Sequence, residues 1–514
     1  MSEISENNKR IAKNTLILYV RMFAMMLVSL YTSRIVLKAL GVDDYGIYNV
    51  VGGVVSICSL LTGSLSGAIG RYITFELGKG NKDVLNKVFC TSVIVQLILS
   101  LIVIVLLETI GLWFLNCRME IPIGRYNAAN WVFQISILTF VVGLYSVPYD
   151  ALIVAHERMS AFAFISIFDA IAKLGIAFLL IHNPFDRLIY YALLLFLVSL
   201  VNRFLYYIYC RKHFQESHFR WSFDKSLVKQ MLGFAGWSFF GTSSWIIMSQ
   251  GVNLLLNVYF GVVVNAARGI AQQVDGALNQ FVTNFTKALN PQITKSYAIG
   301  NKEYMFNLMY RGAKFSYFLL LLFAVPILCC TKEILNLWLG QVPEYSVVFL
   351  RLTLIMSMIH ISSNTMGVAI LASGNIKKYQ LVVGGLGLLV FPLSWLLFYI
   401  GYPPEMAYVS IIIVFILQFI SRLLLMKESM GMSILRFIKE VTVKILIVSV
   451  FSFIFPVFIC FYMNSSLERL ILIGFVSVVL TPMAIYFVGL DHAEQKLVGN
   501  VLKKIKCLVI GRKI

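Results

Sequence analysis

The sequence predicts an all-α polytopic membrane protein with about 14 transmembrane helices. Of its 514 residues, 59% are hydrophobic and only 13% are charged, and the mean hydropathy is +0.83. A soluble domain normally carries about 25% charged residues. Apolar runs of roughly 20 residues recur along the whole chain, and each could cross about 30 Å of hydrocarbon. The candidate spans are 14–37, 46–70, 88–115, 131–154, 162–182, 188–210, 233–259, 264–289, 314–338, 347–372, 379–400, 406–426, 444–463 and 467–489.

The loops between these spans are short, and none exceeds about 30 residues, so no separate soluble domain is expected. An even number of spans places both termini on one side of the membrane. Most Lys and Arg residues lie in the two tails and in alternate loops, which predicts that both termini are cytoplasmic. This topology explains most of the formal net charge of +19 without a nucleic-acid partner. The opposite loops hold only Arg34, Lys38, Arg118, Arg125, Arg187, Lys332, Arg351 and Arg469.

Several kinds of chemistry are not expected from this chain. Its eight cysteines have no metal-binding or redox spacing, and they imply no disulfide framework. No G-x-x-x-x-G-K-[ST] loop is present, which excludes ATP hydrolysis by this chain as a driver. The six histidines are scattered and form no catalytic constellation. The sequence therefore predicts no enzyme, no metal site and no resident cofactor.

The two halves of the chain are related at an offset of 220 residues. This offset aligns RYITFELGKGNKDVLNK (71–87) with PQITKSYAIGNKEYMFN (291–307), and it aligns Gly41 with Gly261. The equivalent segments follow spans that are six apart. Because six is even, the repeats run parallel, about an axis along the membrane normal. The identical pairs are Ile73 and Ile293, Thr74 and Thr294, Gly80 and Gly300, Asn81 and Asn301, and Lys82 and Lys302.

This repeat predicts the domain organisation. Residues 1–210 form an N-terminal six-helix lobe, and residues 211–426 form a C-terminal six-helix lobe. Residues 427–489 add two C-terminal transmembrane helices, and residues 490–514 form a basic cytoplasmic tail. That tail has two interpretations, a helix lying on anionic lipid or a charge cluster that only sets the topology.

The segment TSRIVLKALGVDDYGIYNVVGGVVS (32–56) resembles the opening signature of bacterial polysaccharide exporters, in which a small residue and Arg precede LG…YG.Y. The likeness extends over nearly the whole chain through the number of spans and the repeat. The sequence is similar to lipid-linked oligosaccharide flippases, within the superfamily that also holds multidrug and toxin extruders. The resemblance implies a bacterial inner-membrane location and two facing lobes. It also implies a polyprenyl-pyrophosphate-linked O-antigen, capsule or exopolysaccharide unit as substrate, with membrane lipids and polysaccharide polymerases as partners.

The acidic pair Asp43 and Asp44 has an alternative interpretation. Membrane glycosyltransferases often carry acidic residues in their first outer loop, for metal binding or as a base. Those enzymes need large extracytoplasmic loops to hold an acceptor, whereas the longest outer loop here (116–130) has about fifteen residues. A role at the start of a helix is favoured, because carboxylates suit a helix N-terminus.

The segment 265–291 is unusually polar for a candidate span. On a helix its polar side chains form one continuous stripe, and the preceding span carries a second stripe that includes Ser249 and Asn253. A polar stripe cannot face lipid, since each unsatisfied group would cost several kcal/mol. The stripes predict the lining of a central aqueous cavity, and hydrogen bonding between helices is the alternative. The main stripe is Asn265, Arg268, Gln272, Asp275, Asn279, Thr283, Thr286 and Asn290.

Charged residues inside the spans mark candidate functional positions, because a charge at the membrane midplane costs at least ~2.5–3.5 kcal/mol. The cations are Arg21, Lys173, Arg203 and Arg268, and the anions are Asp150, Asp169 and Asp275. Some have structural alternatives. Asp169 and Lys173 stand at i,i+4 and can pair with each other. Asp275 can neutralise Arg268, and Arg203 can extend to the inner headgroups. Arg21 points either into the cavity or toward those headgroups.

These residues lead to a predicted substrate site. Guanidinium groups match phosphate oxygens, so Arg21 and Arg268 are predicted to bind the pyrophosphate. The two polar stripes are predicted to bind the glycan during alternating access. An alternative is an extruder of small amphiphiles coupled to Na⁺ or H⁺, in which Asp275 or Asp169 binds the cation. A membrane enzyme acting on lipid-linked sugars is a third. The full predicted set is Arg21, Lys173, Ser249, Asn253, Arg268, Gln272, Asp275 and Asn279.

Overall fold

A computed structural model describes residues 2–117, 121, 124–182, 186–221, 224–339, 341–492 and 494–495, so most of the predicted basic tail lies outside the described residues. The described residues are almost entirely helical and contain no strand. The main helices are α1 (Ser2–Ile57), α2 (Ser59–Lys79), α3 (Lys82–Cys117), α4 (Tyr126–Ala155), α5 (Met159–Leu179), α6 (Arg187–His213), α7 (Lys225–Ala298), α8 (Lys302–Cys329), α9 (Thr331–Leu339), α10 (Ser346–Ser373), α11 (Lys377–Tyr399), α12 (Met406–Met430), α13 (Ile434–Tyr462) and α14 (Leu467–Gly489).

Among the described residues, eleven helices are long and apolar enough to cross a membrane. The all-α polytopic membrane fold is therefore confirmed. The other three predicted spans are not among these eleven helices. Residues 46–70 lie on the end of α1 and on α2, and residues 233–259 and 264–289 lie on α7. The count of about 14 transmembrane helices stays a prediction.

Two long helices are each interrupted by one glycine. Gly41 divides α1 into two segments, and Gly261 divides α7 into two segments. Both glycines have a φ of 81°, a backbone conformation that residues with a Cβ rarely adopt. The turn before α3 and the turn before α8 also match, because Gly80 and Gly300 are left-handed, with φ of 76° and 78°. The 220-residue repeat is thus present in the local backbone.

The chain forms two compact units. The first comprises 1–243, 287–305 and 371–381, and the second comprises 244–286, 306–370 and 382–514. The core of the first unit contains fully buried Leu18, Phe89 and Leu152. In the second, Phe349 packs against Tyr408, with ring centres 4.8 Å apart. The sequence-based lobe boundaries stay a prediction.

A fully buried carboxylate, Glu157, joins three parts of the first unit. Glu157 lies in the turn between α4 and α5 and has a positive φ of 57°. Its oxygens pair with Arg10 of α1 at 2.8 Å and with Lys295 of α7 at 2.7 Å. Gln292 donates to both oxygens at 2.8 Å, and Asn14 donates to the Glu157 carbonyl at 3.1 Å. This network holds the first turns of α1 and the last turns of α7 to the α4–α5 turn.

Candidate substrate-binding site

Two cations in the first unit meet at one aromatic ring. The guanidinium carbon of Arg21 lies 4.4 Å from the centre of the Phe162 ring, and Nζ of Lys287 lies 3.6 Å from it. Each contact is a cation–π interaction, worth roughly 0.5–2 kcal/mol. Arg21 comes from α1, Phe162 from the first turn of α5, and Lys287 from the second segment of α7. This arrangement, which we call the Phe162 cation pair, concentrates positive charge within a span.

One carboxylate faces the Phe162 cation pair. Asp150 of α4 interacts electrostatically with both Lys287 and Arg21, although neither cation is within ion-pairing distance of it. Oδ1 of Asp150 and Nε of Arg21 are buried and have no hydrogen-bond partner in the protein. Two cations against one carboxylate leave an excess of positive charge, and a buried unpaired donor is costly. The cluster therefore has the electrostatics of an anion-binding site.

Sequence reasoning identified Arg21 and Asp150 but missed Lys287. Lys287 lies on the polar face of α7, four residues after Thr283, but near the end of a candidate span, where a basic residue is ordinarily interpreted as a topology signal. Only the packing of α1, α5 and α7 brings it to the ring that Arg21 occupies. The sequence signal that could have identified Lys287 was its position on the same helix as the long polar stripe.

Arg268 lies in the second unit and is almost completely buried, with 3% of its surface exposed. Its Nη2 donates to the carbonyl of Ser249 at 3.1 Å, and its guanidinium lies 5.6 Å from the centre of the Tyr408 ring. Nε and Nη1 are buried without a partner in the protein. Among the described residues, no carboxylate lies within ion-pairing distance of Arg268, so Asp275 does not neutralise it by direct contact in this structure.

Asp275 makes different contacts. It accepts a hydrogen bond from Ser357 of α10 at 2.5 Å and another from the Asn279 side chain at 2.8 Å. The carboxylate is thus held by a hydroxyl and an amide, and within the described part of the chain no cation is in contact with it. Oxygen groups around a carboxylate can bind a proton or a hard cation such as Na⁺.

The centre of the main stripe is exposed, whereas its ends are not. Gln272, Gln280 and Thr283 are exposed, whereas Ala271 and Leu278, which lie beside the stripe, are buried. Towards the end of α7, Asn284 and Thr286 are buried as well. In the preceding segment, Ser249 and Asn253 are half-buried, and Asn253 donates to Gln250 at 3.0 Å. The exposed amides cannot be satisfied by lipid, so they face water or a polar ligand.

Lys173 pairs with Asp169 on the next turn of α5, at 2.8 Å. The Lys173 side chain remains 45% exposed, and the pair lines a cavity inside the first unit. Arg203 lies over the ring of Tyr149, with its guanidinium carbon 3.9 Å from the ring centre. The structure thus separates the predicted site residues into the Phe162 cation pair, the Lys173 pair and the polar groups of α7.

Asp44 is engaged in an ion-pair network. Arg125 donates to Asp44 at 2.8 Å and to Asp186 at 2.6 Å, and Asp186 also accepts the backbone N–H of Leu188 at the start of α6. Burial tends to raise the pKa of Asp186, but the Arg125 hydrogen bond and these backbone bonds hold it below its usual range. Asp44 lies in the first turn after the break at Gly41, as the helix-start interpretation predicted. The side chain of Asp43 lies outside the described residues.

The chain resembles several solved membrane transporters. The solved structures it resembles include a MATE transporter in the straight conformation, at 15% identity and a TM-score of 0.70, covering 84% of this chain and 97% of that one. They also include an outward-facing multidrug resistance MATE transporter of the MOP superfamily, at 14% identity and a TM-score of 0.69, covering 81% and 94%. A MOP superfamily transporter from Pyrococcus furiosus matches at 13% identity and a TM-score of 0.68, covering 84% and 96%.

These identities are low, so the similarities establish the fold alone. No curated protein matches the sequence. The model of one family, described as polysaccharide biosynthesis protein, matches residues 11–297, which is more than half of the chain. That match covers the resemblance segment, the Phe162 cation pair and both polar stripes. The chain therefore belongs to the polysaccharide biosynthesis protein family, and it has the fold of the MATE transporters of the MOP superfamily.

Proposed function

We propose that this protein is a flippase that moves a polyprenyl-pyrophosphate-linked oligosaccharide across the bacterial inner membrane by alternating access. The observation that carries the proposal is the Phe162 cation pair, in which Arg21 and Lys287 outnumber the single carboxylate of Asp150. Pyrophosphate is the charged group of such a substrate, and cations bind its oxygens through charge-assisted hydrogen bonds. Family membership supports a lipid-linked glycan as the cargo.

The polar groups of α7 have the chemistry required by the rest of the substrate. Exposed Gln272 and Gln280 offer amide donors and acceptors to sugar hydroxyls. Arg268, which sequence reasoning assigned to the pyrophosphate, is buried and would reach it only in another conformation of α7. In this proposal both termini are cytoplasmic, and a polysaccharide polymerase receives the product.

A cation-coupled extruder of small amphiphiles is the second candidate, and the contacts of Asp275 favour it. The Asp275 carboxylate is bonded by Ser357 and Asn279 and touches no cation among the described residues, which suits a site for Na⁺ or H⁺. The same coupling site would also serve a flippase. The cargo, rather than the ion, therefore distinguishes the two functions.

Transport in proteoliposomes tests the proposal. The purified protein should flip a defined polyprenyl-pyrophosphate-linked oligosaccharide. Arg21→Ala or Lys287→Ala should lower the affinity of the protein for this lipid by about ten- to a hundredfold, as expected for loss of one charge-assisted bond. Lys287→Arg should retain most of the activity. Lys13→Ala, which removes an exposed cation from the same helix as Arg21, is the matched control. Flux of a cationic dye without lipid flipping would instead identify an extruder.

A further inference from the structure

The cavity lined by the Asp169–Lys173 pair lies entirely inside the first unit. Its volume is about 570 Å³, within the range of roughly 300–1,000 Å³ that small-molecule sites occupy. Its walls come from the second segment of α1 and from α4, α5 and α6. The Asp169–Lys173 pair is the only charged pair among its lining residues. We call it the α5 cavity.

The charges of the α5 cavity cancel. Oδ2 of Asp169 pairs with Lys173 at 2.8 Å, and Oδ1 accepts from the Asn202 amide at 2.6 Å. A free cation in this cavity would be repelled by Lys173, and an anion would be repelled by Asp169. The arrangement therefore favours a neutral ligand. Oδ1 of Asn202 is buried and has no hydrogen-bond partner in the protein.

Three hydroxyl groups on the cavity wall also present acceptors. Thr139 donates to the Ile135 carbonyl at 2.8 Å, Ser146 donates to Val142 at 3.2 Å, and Ser199 donates to Phe196 at 2.7 Å. Each hydroxyl proton is thus used within its own helix, and the oxygen lone pairs remain available. These acceptors, together with the donor of the partly exposed Lys173, suit a neutral ligand with several O–H groups, such as a sugar.

Aromatic rings complete the surface. Tyr48 and Tyr191 line the cavity and pack edge to face, with ring centres 4.9 Å apart. An edge-to-face pair leaves ring surface available, against which the C–H face of a pyranose can pack. The polar groups of the wall can bond the hydroxyls of a pyranose, and the tyrosine rings can pack against its C–H face.

The α5 cavity lies close to the Phe162 cation pair along the same helix. Phe162 and Asp169 are seven residues apart on α5, so they share one face of the helix. At 1.5 Å per residue they are separated by about 10 Å along the axis. A pyrophosphate at Phe162 would leave its attached sugars within reach of the cavity.

We propose that the α5 cavity is a carbohydrate subsite that binds a pyranose of the transported glycan. This inference rests on the proposed function, because it supplies the sugar end of the same substrate. In this proposal the Asp169–Lys173 pair presents fixed hydrogen-bonding groups to the sugar, and it has no net charge that would select an ionic ligand.

A plug inside the cavity tests the subsite without breaking the ion pair. A Cβ added at Gly143 or at Gly52, which line different walls, would meet no atom within 4 Å, so Gly143→Leu and Gly52→Leu should fold and fill the cavity. Gly175→Leu is the matched control, since Gly175 is an α5 glycine in open space that does not line the cavity. Binding is measured for a polyprenyl pyrophosphate carrying one N-acetylglucosamine and for the same lipid without sugar.

The wild type and Gly175→Leu should bind the sugar-bearing lipid about tenfold more tightly, the effect of one or two net hydrogen bonds. Both plugs should abolish this preference and leave the affinity for the sugar-free lipid unchanged. Equal affinities in the wild type, or an unchanged preference in the folded plugs, would overturn the subsite. Loss of sodium-22 binding with an unchanged sugar preference would identify a cation site. Failure of the wild type to bind either lipid would instead refute the proposed function.

Discussion

Gly41 and Gly261, which are 220 residues apart, break their helices with the same backbone geometry. Their φ angles are both 81°, and their ψ angles are 172° and −171°. This region of conformational space is populated essentially by glycine alone. The two breaks therefore mark equivalent positions in two related halves, and each turns a long helical stretch into two segments with separate directions.

Replacing Gly261 should be costly for this reason. Gly261→Ala should destabilise the protein by about 1–3 kcal/mol, because a Cβ disfavours the observed φ although no neighbour would clash with it. Gly269→Ala is the control, since Gly269 lies in the helical second segment of α7 and is also in open space. It should be neutral or stabilising. Thermal unfolding in detergent compares the two variants, and equal melting temperatures would contradict the backbone argument.

Arg268 and Asp275 should act independently. Arg268→Ala should reduce export by about ten- to a hundredfold if Arg268 meets the substrate, and Arg268→Lys should keep part of it. Adding Asp275→Ala should restore nothing, because Asp275 is bonded to Ser357 and Asn279 rather than to Arg268. Export is measured in proteoliposomes at matched protein abundance. Full activity of the double variant would show that Arg268 only compensates Asp275 and binds no substrate.

The exposed centre of the α7 stripe should be accessible to water. Single cysteines at Gln272 and Thr283 should react with small thiol reagents, whereas cysteines at Ala271 and Leu278 should remain protected. Reaction rates in native membranes provide the measurement. Equal protection at all four positions would favour the alternative in which the stripe only forms hydrogen bonds between helices.

Glu157 should be essential for the stability of the first unit. Glu157→Ala removes the partner of Arg10, Lys295 and Gln292 and should cost about 3–5 kcal/mol, the usual effect of breaking a buried charge network. Glu303→Ala, which removes an exposed carboxylate from the first turn of α8, should have little effect. Thermal unfolding compares the two, and similar small effects would show that Glu157 is dispensable.

The predicted topology has a direct test in intact cells. Cysteines placed at Lys82, Lys302 and Lys377 should escape an impermeant thiol reagent added from outside, whereas Cys117 should be labelled. All four positions are exposed, so burial would not explain a difference. Labelling at position 82 from outside would show that the protein has the opposite orientation in the membrane.

Much of this fold could be predicted from the sequence because the signals are local. Apolar runs longer than the hydrocarbon thickness predict membrane helices, and the stripe from Asn265 to Asn290 follows from helical periodicity alone. Gly80 and Gly300, each followed by Asn and Lys, predict two equivalent turns, and the structure has both in the left-handed conformation. Such features depend on neighbours a few residues away.

Pairings between distant residues were decided only by the tertiary structure. The spacing of Arg268 and Asp275 permits a contact on one helix face, yet Asp275 bonds Ser357, which is 82 residues away in the sequence. Lys287 joins Arg21 because α1, α5 and α7 pack together, and no local pattern encodes that packing. Buried polar groups take whichever partner the helix arrangement brings within hydrogen-bonding distance. The sequence alone therefore determined the membrane helices and their polar faces, and the packing of those helices decided which charges meet.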